Sequence, residues 1–269
     1  KIVHKRREIL ENLGVKFVLN FEVQAKELSE IEDKYDAIFL GLGTYESIKG
    51  DYKGFEKDGV VEALPYLTEN TKYLMNENDA LSMDFKNQKV VVLGGGDTAM
   101  DCVRTALRQG AKKVTCVYRR DFENMPGSRK EVKHAMEEGV EFLFNHQIVE
   151  AKGDDKLSEL IAEETELFGN DGSGRKKPKV KEGTQKKIEL DKLVIAFGYQ
   201  ASPQEFFTNK KINVDDWGLI QLNNDKFKYQ TSNEKYFAGG DMIIGSSLAV
   251  YAIAHGRDAA KEIIKYLNS

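Results

Sequence analysis

A glycine-rich turn between an apolar run and an amphipathic segment constrains the fold of this chain more than any other feature. Residues 90–93 read Val-Val-Val-Leu, and Gly94, Gly96 and Ala99 follow in the spacing Gly-x-Gly-x-x-Ala. The first glycine of such a turn permits the tight bend, the second lets the backbone approach a bound diphosphate, and the small third residue lets the helix pack closely on the strand. Because a second strand pattern follows at 113–118, we predict an α/β dinucleotide-binding unit rather than a glycine turn without a ligand.

Two arginines follow the second strand and bear on which dinucleotide is bound. Arg119 and Arg120 stand 23 and 24 positions after Gly96. Sites for NAD usually carry an acidic residue near this point, which accepts a hydrogen bond from the ribose 2′-hydroxyl. A guanidinium instead suits the 2′-phosphate of NADP. We therefore predict that this arginine pair selects NADPH, and a pair that only decorates the surface is the weaker alternative.

Two carboxylates lie close to the predicted phosphate turn. Asp97 stands where the helix should begin, so we expect it to act as the N-cap and to accept from the N–H of Met100. Asp101 lies one turn further on and is expected to pair with Arg104 or Arg108. On this interpretation the acids stabilise the helix, and backbone N–H groups bind the phosphates.

Composition and charge exclude several classes of protein. The formal net charge is −4, with 41% hydrophobic and 31% charged residues, so the chain as a whole is not suited to nucleic acid or to an anionic membrane. The longest apolar run, Leu248–Ala254, is far too short to span a bilayer. Cys102 and Cys116 form no Cys-x-x-Cys pair and are expected to be buried thiols in a reducing compartment. No metal site is predicted.

The first third of the chain alternates helical and strand patterns. We predict a helix over 5–13 that ends at Gly14, and then a strand over 15–23. Residues 35–44 read as a short buried strand that runs into a Gly-x-Gly-Thr turn. Another helix is expected within 58–85, and the polar residues 76–88 read as a linker.

The region 151–190 has a different character. Residues 157–167 and 186–199 read as strands that flank 168–185, a stretch with glycine, proline and many lysines. A basic loop that binds a partner is one interpretation of this stretch. A solvated hairpin tip is the interpretation we favour, because charge runs usually mark exposed loops.

An internal repeat relates the two halves of the chain. Residues 11–23 resemble 136–148, and residues 35–43 resemble 190–198. In both halves a helix, a glycine, a strand and then a strand that ends in glycine occur in the same order. Two similar dinucleotide-binding domains produce such a pattern.

A second motif lies near the C-terminus, where a strand pattern runs into Gly239-Gly240-Asp241 and then into a helix rich in small residues. A strand end followed by Gly-Asp brings a carboxylate within reach of a ribityl chain, and the next helix can direct its N-terminus at a flavin. His255 lies on that helix, and we assign it a structural role only.

Four stretches together resemble the small (beta) subunits of NADPH-dependent glutamate synthases: DAIFLGLGT, VVVLGGGDTAMDCVRTALRQGAKKVTCVYRRD, ENMPGSRKEVKHAMEEGVEF and FAGGDMIIGSSLAVYAIAHGRDAA. The resemblance spans essentially the whole chain. It implies two Rossmann-like domains, with an NADPH domain (87–201) inserted in an FAD domain (1–86 and 202–269). The residues that it places against NADPH are Gly94, Gly95, Gly96, Asp97, Thr98, Arg119, Arg120 and Gly198. Those that it places against FAD are Gly43, Thr44, Gly240, Asp241, Leu248 and Ala249.

The chain departs from that family at its beginning. The cysteine-rich N-terminal domain of the family, which carries its iron–sulfur clusters, is absent, and so is the first FAD glycine loop. Judged from the internal repeat, that loop would lie about 31 positions before Lys1. The FAD domain is therefore expected to be incomplete in this chain, with weak FAD binding or none.

The resemblance implies a cytoplasmic enzyme that passes a hydride from NADPH to FAD. Electrons then go through iron–sulfur clusters to a large subunit that forms glutamate from glutamine and 2-oxoglutarate. No side chain is expected to act as acid or base, because the flavin carries the chemistry. Two alternatives stay open: a related NADPH:flavin reductase with another acceptor, such as a pyrimidine or a ferredoxin, and a non-catalytic nucleotide-binding fragment.

Overall fold

A computed structural model describes residues 2–172, 174–223 and 225–269. Helices occur in the following order: α1 (Ile2–Asn12), α2 (Ala25–Glu32), α3 (Ala63–Leu74), α4 (Asp97–Arg108), α5 (Arg129–Glu137), α6 (Phe206–Asn209), α7 (Asp241–Ile244) and α8 (Ala249–Leu267). Strands are β1 (Ile38–Leu40), β2 (Glu46–Ser47), β3 (Val60–Glu62), β4 (Lys89–Leu93), β5 (Lys113–Tyr118), β6 (Glu141–Phe144), β7 (His146–Lys152), β8 (Glu159–Phe168), β9 (Lys177–Val180), β10 (Lys186–Glu189), β11 (Lys192–Ile195), β12 (Tyr199–Gln200) and β13 (Tyr236–Ala238). None of the helices in these described ranges has the length and apolar character that a membrane span requires.

The chain divides into two compact units. The terminal unit comprises residues 1–44 and 201–269, and the central unit comprises residues 45–200. The boundary expected after residue 86 thus falls inside the central unit. The reason is pairing: β3 lies beside β11 in a parallel ladder, and α3 packs against α4, so residues 45–86 are held by the central unit.

The central unit is built on a parallel sheet in the order β3-β11-β4-β5-β6. Strand β4 is buried on both faces, as a continuous run of β-branched residues favours. Val90 and Val92 pack against helices α3, α4 and α5, whereas Val91 and Leu93 pack against the opposite layer. The α/β architecture predicted from the sequence is confirmed.

That opposite layer is an antiparallel sheet in the order β10-β8-β7, with β9 also paired to β8. The strand predicted over 157–167 matches β8. The strand predicted over 186–199 is wrong as one element, because β10 joins the antiparallel sheet while β11 joins the parallel one. The expected tip at 168–185 is shorter than predicted, since β9 continues the ladder within it; Ser173 lies outside the described residues.

Strands β1 and β13 form a parallel pair in the terminal unit. The strand predicted over 15–23 is wrong: this segment forms no β-structure in the described part of the chain, and residues 15–22 are exposed. Its counterpart in the second half becomes β6 because β5 lies beside it and pairs with it in a parallel ladder. Alternation alone does not make a strand without such a neighbour.

The helix ends of the internal repeat match in detail. Gly14 and Gly139 follow α1 and α5 with φ of 93° and 100°, a region that favours glycine. In each case the glycine N–H donates to the carbonyl three residues earlier, and the next N–H donates to the carbonyl five residues earlier. These bonds satisfy carbonyls that a helix end otherwise leaves unpaired.

An ionic cluster stabilises the terminal unit. Glu32, at the end of α2, accepts hydrogen bonds from Lys210 and from the hydroxyl of Tyr236. Burial alone pushes the pKa of Glu32 up, but these two hydrogen bonds and the nearby lysines outweigh it, so the pKa lies below its usual value of 4.5. The carboxylate is thus held in its charged form.

The two cysteines are buried thiols, as predicted. Burial raises the pKa of Cys116 to about 12 and also raises the pKa of Cys102. Both thiols are therefore protonated near neutral pH, which removes the thiolate that redox or nucleophilic chemistry needs.

Candidate nucleotide site

A cavity of about 450 Å³ lies in the central unit at the carboxyl ends of β11, β4 and β5. From β4 the chain continues to β5, which pairs with one edge of β4. Strand β11, which comes much later in the sequence, pairs with the other edge. Ligands of open α/β sheets bind at such a point, where the strand order reverses. The lining residues are Ile48, Gly50, Tyr52, Leu93, Gly94, Gly95, Gly96, Thr98, Val117, Tyr118, Arg119, Arg120, Pro126, His146, Gln147, Ile148, Arg175, Ala196, Phe197 and Gly198.

The three glycines of the turn are required for different reasons. Gly94 has φ of 144°, and a Cβ there would lie 2.2 Å from the carbonyl oxygen of Ala196. A Cβ on Gly95 would lie 2.5 Å from the ring of Tyr118. Gly96 has φ of −90°, and a Cβ there would meet no atom within 4 Å. The protein itself therefore needs the first two glycines, whereas Gly96 leaves open space beside the N-terminus of α4.

Helix α4 begins at Asp97, and Gly96 is its N-cap. The prediction that Asp97 caps this helix is wrong, because Asp97 is already the first helical residue. The N–H of Met100 donates to the carbonyl of Gly96, and the carboxylate of Asp97 accepts from the backbone N–H of Ser128 at 2.7 Å. Asp97 therefore ties the start of α4 to the start of α5, and its charge still lies at the favourable end of the helix dipole.

The expected partners of Asp101 are engaged elsewhere. Arg104 pairs with Glu131 and Glu138, and Arg108 pairs with Glu138. The prediction for Asp101 is wrong because α5 brings carboxylates to the arginine face of α4. Partial burial, together with the negative charges of Glu131 and Asp97, raises the pKa of Asp101.

The two predicted arginines both line the cavity, in different environments. Arg119 is exposed, and in the described part of the chain no hydrogen bond or ion pair engages its guanidinium. Its carbonyl accepts from the hydroxyl of Thr165 at 2.8 Å, which anchors its backbone. Arg120 is only 4% exposed; its guanidinium donates to Asp171 at 2.8 Å and to the carbonyl of Lys176.

Several cavity residues were missed by sequence reasoning. His146 is the first residue of β7, and its Nδ1 donates to the carbonyl of Phe144 at 2.6 Å. Its other ring nitrogen, Nε2, can then contact a ligand in the cavity. Tyr52 and Phe197 form an aromatic wall with ring centroids 6.1 Å apart. Arg175 adds a third guanidinium from the β8–β9 connection. These residues carry no local motif, so the sequence held no signal for them.

The residues predicted to contact FAD come together in the terminal unit. Gly43 and Thr44 follow β1, and Gly240 and Asp241 follow β13, so the two turns leave the same edge of this parallel strand pair. Thr44 is buried, and its hydroxyl lies 2.8 Å from that of Ser246.

Helix α8 begins at this same part of the terminal unit. Leu248 is its N-cap and Ala249 its first residue. His255, on the same helix, accepts from the N–H of Gly240 through Nδ1 at 3.2 Å, which supports its structural role.

Known proteins match this chain along nearly its whole length. The glutamate synthase [NADPH] small chain of Halomonas elongata is 45% identical over 271 residues, which cover 99% of this chain and 57% of that protein. The putative oxidoreductase AegA of Escherichia coli is 44% identical over 273 residues, which cover 99% of this chain and 41% of that protein. The chain thus spans about half the length of the curated relatives it matches.

The fold has a counterpart among solved structures. FprA of Mycobacterium tuberculosis, in a complex with NADPH, superposes with a TM-score of 0.72 over 91% of this chain and 66% of that chain, at 19% identity. The family model described as pyridine nucleotide-disulphide oxidoreductase matches residues 9–256. The chain therefore belongs to the pyridine nucleotide-disulphide oxidoreductase family.

Proposed function

We propose that this chain is an NADPH:FAD oxidoreductase module of glutamate synthase type. The observation that carries the proposal is Gly96: its missing side chain relieves no contact within the protein, yet it keeps the space beside the α4 N-terminus open. A bound diphosphate needs such a close approach of the backbone. Arg119, with an exposed guanidinium at the rim of the same cavity, supplies a donor for the 2′-phosphate that distinguishes NADPH from NADH.

The residues of the central unit divide the work of holding NADPH. Backbone N–H groups at Gly96 and Thr98 and the dipole of α4 stabilise the diphosphate. Asp97 stays tied to Ser128 and does not compete for the phosphates. The aromatic wall of Tyr52 and Phe197 offers a flat surface for a ring of the dinucleotide.

The terminal unit is proposed to hold FAD, which supplies the hydride acceptor when bound. Asp241, at the start of α7, would accept a hydrogen bond from a ribityl hydroxyl, and the N-terminus of α8 at Ala249 would offer backbone N–H groups to the flavin. Gly43, Thr44, Gly240 and Leu248 complete the contacts. The fit rests on the common edge from which these turns leave β1 and β13.

Beyond the flavin, we propose that electrons pass through iron–sulfur clusters, which residues 1–269 do not themselves supply, to a large subunit that forms glutamate from glutamine and 2-oxoglutarate. The 45% identity to a glutamate synthase small chain supports this assignment. A cytoplasmic location stays a prediction.

A second candidate is a reductase that serves another acceptor. The 44% identity to the putative oxidoreductase AegA favours it, because the two similarities are nearly equal. Glutamine-dependent glutamate formation with an added large subunit separates the two candidates. If NADPH still reduces the flavin but no glutamate is formed, the chain is a reductase that serves another acceptor.

The test of reductase function itself is spectroscopic. FAD is added in excess and left in the sample, because the chain is expected to bind it weakly, and NADPH is then titrated in under anaerobic conditions. The proposal expects NADPH to bleach the flavin absorbance band faster than in an equal FAD solution without the protein. A band that NADPH leaves unchanged would point to a nucleotide-binding module without catalysis.

A further inference from the structure

Three arginines line the cavity of the central unit, and they come from distant parts of the chain. Arg119 and Arg120 follow β5, whereas Arg175 belongs to the connection between β8 and β9. A solvated hairpin tip was the favoured interpretation of the stretch 168–185, with a basic partner-binding loop as the alternative. Arg175 is instead half-buried and lines the same cavity as the glycine turn.

The connection that carries Arg175 is anchored on both sides. The backbone N–H of Arg175 donates to the carboxylate of Asp171 at 3.1 Å, and the N–H of Lys176 donates to the side-chain oxygen of Asn124 at 2.9 Å. The carbonyl of Lys176 accepts from Arg120. Arg175 is therefore set between tethered neighbours, and its position relative to Arg120 is defined by the fold.

Asp171 contacts two of the three guanidinium groups at this end of the cavity. Asp171 pairs with Arg120 at 2.8 Å, and the same carboxylate oxygen lies 3.9 Å from Nε of Arg175. One carboxylate thus faces two guanidinium groups, and Arg119 adds a third. Among these four side chains three carry a positive charge and one a negative charge, and the guanidinium of Arg120 is almost fully buried. A phosphate monoester carries close to two negative charges at neutral pH and has three acceptor oxygens.

We propose that Arg175 is a specificity-determining residue that binds the 2′-phosphate of NADPH together with Arg119, while Asp171 positions Arg120 behind them. This inference rests on the proposed NADPH site. It adds to that site a residue from the β8–β9 connection, and it assigns to that connection a role in choosing between NADPH and NADH.

The test measures dissociation constants of the 269-residue chain for NADPH and NADH by nicotinamide fluorescence. Arg175→Ala should weaken NADPH binding about tenfold and should change NADH binding less than about twofold. The tenfold loss corresponds to one charge-assisted hydrogen bond, reduced because Arg175 is partly exposed to solvent. Arg175→Lys keeps the charge and should lose less. Lys179→Ala, which removes an exposed charge from the same hairpin without touching the cavity, is the matched control and should leave both constants unchanged.

Competition by adenosine 2′-monophosphate against bound NADPH gives an independent readout. Arg175→Ala should weaken this competitor about as much as NADPH, and adenosine 5′-monophosphate should be unaffected. Circular dichroism verifies that each variant is folded. Equal losses for NADPH and NADH, or a loss no larger than that of Lys179→Ala, would overturn the role of Arg175 while the NADPH site stands. A wild-type chain without preference for NADPH would overturn both.

Discussion

Replacing the three turn glycines one at a time with alanine separates structural from ligand-binding roles. Gly94→Ala places a side chain at φ of 144° and a Cβ 2.2 Å from the carbonyl oxygen of Ala196. The unfavourable φ alone costs roughly 1–3 kcal/mol, and the overlap with backbone adds to it. Gly95→Ala forces a Cβ to 2.5 Å from the ring of Tyr118. Both variants should unfold at least about 2 kcal/mol more easily than the wild type.

Gly96→Ala should behave differently. Its φ of −90° suits alanine, and the new methyl group meets no protein atom within 4 Å. Alanine is somewhat worse than glycine as an N-cap, by about 0.5–1 kcal/mol, but the loss of backbone freedom in the unfolded chain offsets about 0.4–1 kcal/mol. Stability should therefore change little, while NADPH binding falls by at least about tenfold, which corresponds to roughly 1.4 kcal/mol of lost contact with the diphosphate.

Urea unfolding followed by circular dichroism and NADPH titration by fluorescence measure the two quantities on the same samples. Gly94→Ala and Gly95→Ala should lose stability, whereas Gly96→Ala should lose NADPH affinity and keep its stability. If Gly96→Ala binds NADPH as well as the wild type does, the open space at Gly96 is not the diphosphate site. If it unfolds as easily as Gly94→Ala, the account of the turn is wrong.

Four further predictions follow from individual contacts. Arg119→Ala should weaken NADPH binding by roughly 1–2 kcal/mol in a titration while NADH binding barely changes, and equal losses would contradict a role in selectivity. Arg120→Ala alone should lower the free energy of unfolding by about 3 kcal/mol, the lower end for a broken buried pair, because Asp171 stays partly exposed; a loss below about 0.5 kcal/mol would refute this. Asp97→Ala should cost about 1 kcal/mol of stability and Asp97→Asn less than about 0.5 kcal/mol, because the amide oxygen can still accept from the Ser128 N–H; equal losses in urea unfolding would contradict it. Because the folded pKa of Glu32 lies below 4.5, the stability that its carboxylate contributes is present above that pH and is lost as the pH falls through the folded pKa. The difference in unfolding free energy between the wild type and Glu32→Gln should therefore shrink in acid, and a difference that does not change with pH would contradict the role of the ionic cluster.

Local patterns in the sequence predicted the glycine turn, the buried strands beside it and the helix-ending glycines of the repeat. These features depend on residues close together in the chain. Gly94 and Gly96 are recognisable because strand, turn and helix must follow each other at fixed spacing. The helix start was nonetheless displaced by one residue, and that displacement removed Asp97 from the capping position. Helix boundaries are the least reliable part of such predictions.

Distant contacts account for what the sequence did not predict. Arg120 is engaged by Asp171, 51 residues away, and no periodicity links the two. Residues 45–86 belong to the central unit because β3 pairs with β11, far along the chain. Conversely, the alternation over 15–23 suggested a strand, but a strand also needs a neighbour with which to share hydrogen bonds.

A direct comparison of NADPH and NADH binding to the 269-residue chain tests the central claim most directly. Nicotinamide fluorescence is followed as each nucleotide is titrated into the protein at moderate ionic strength. The cavity with its glycine turn and arginine rim predicts saturable binding of one NADPH per chain, tighter than NADH by at least about tenfold. Equal affinities for the two nucleotides, or no saturable binding of either, would contradict the assignment of this cavity to NADPH.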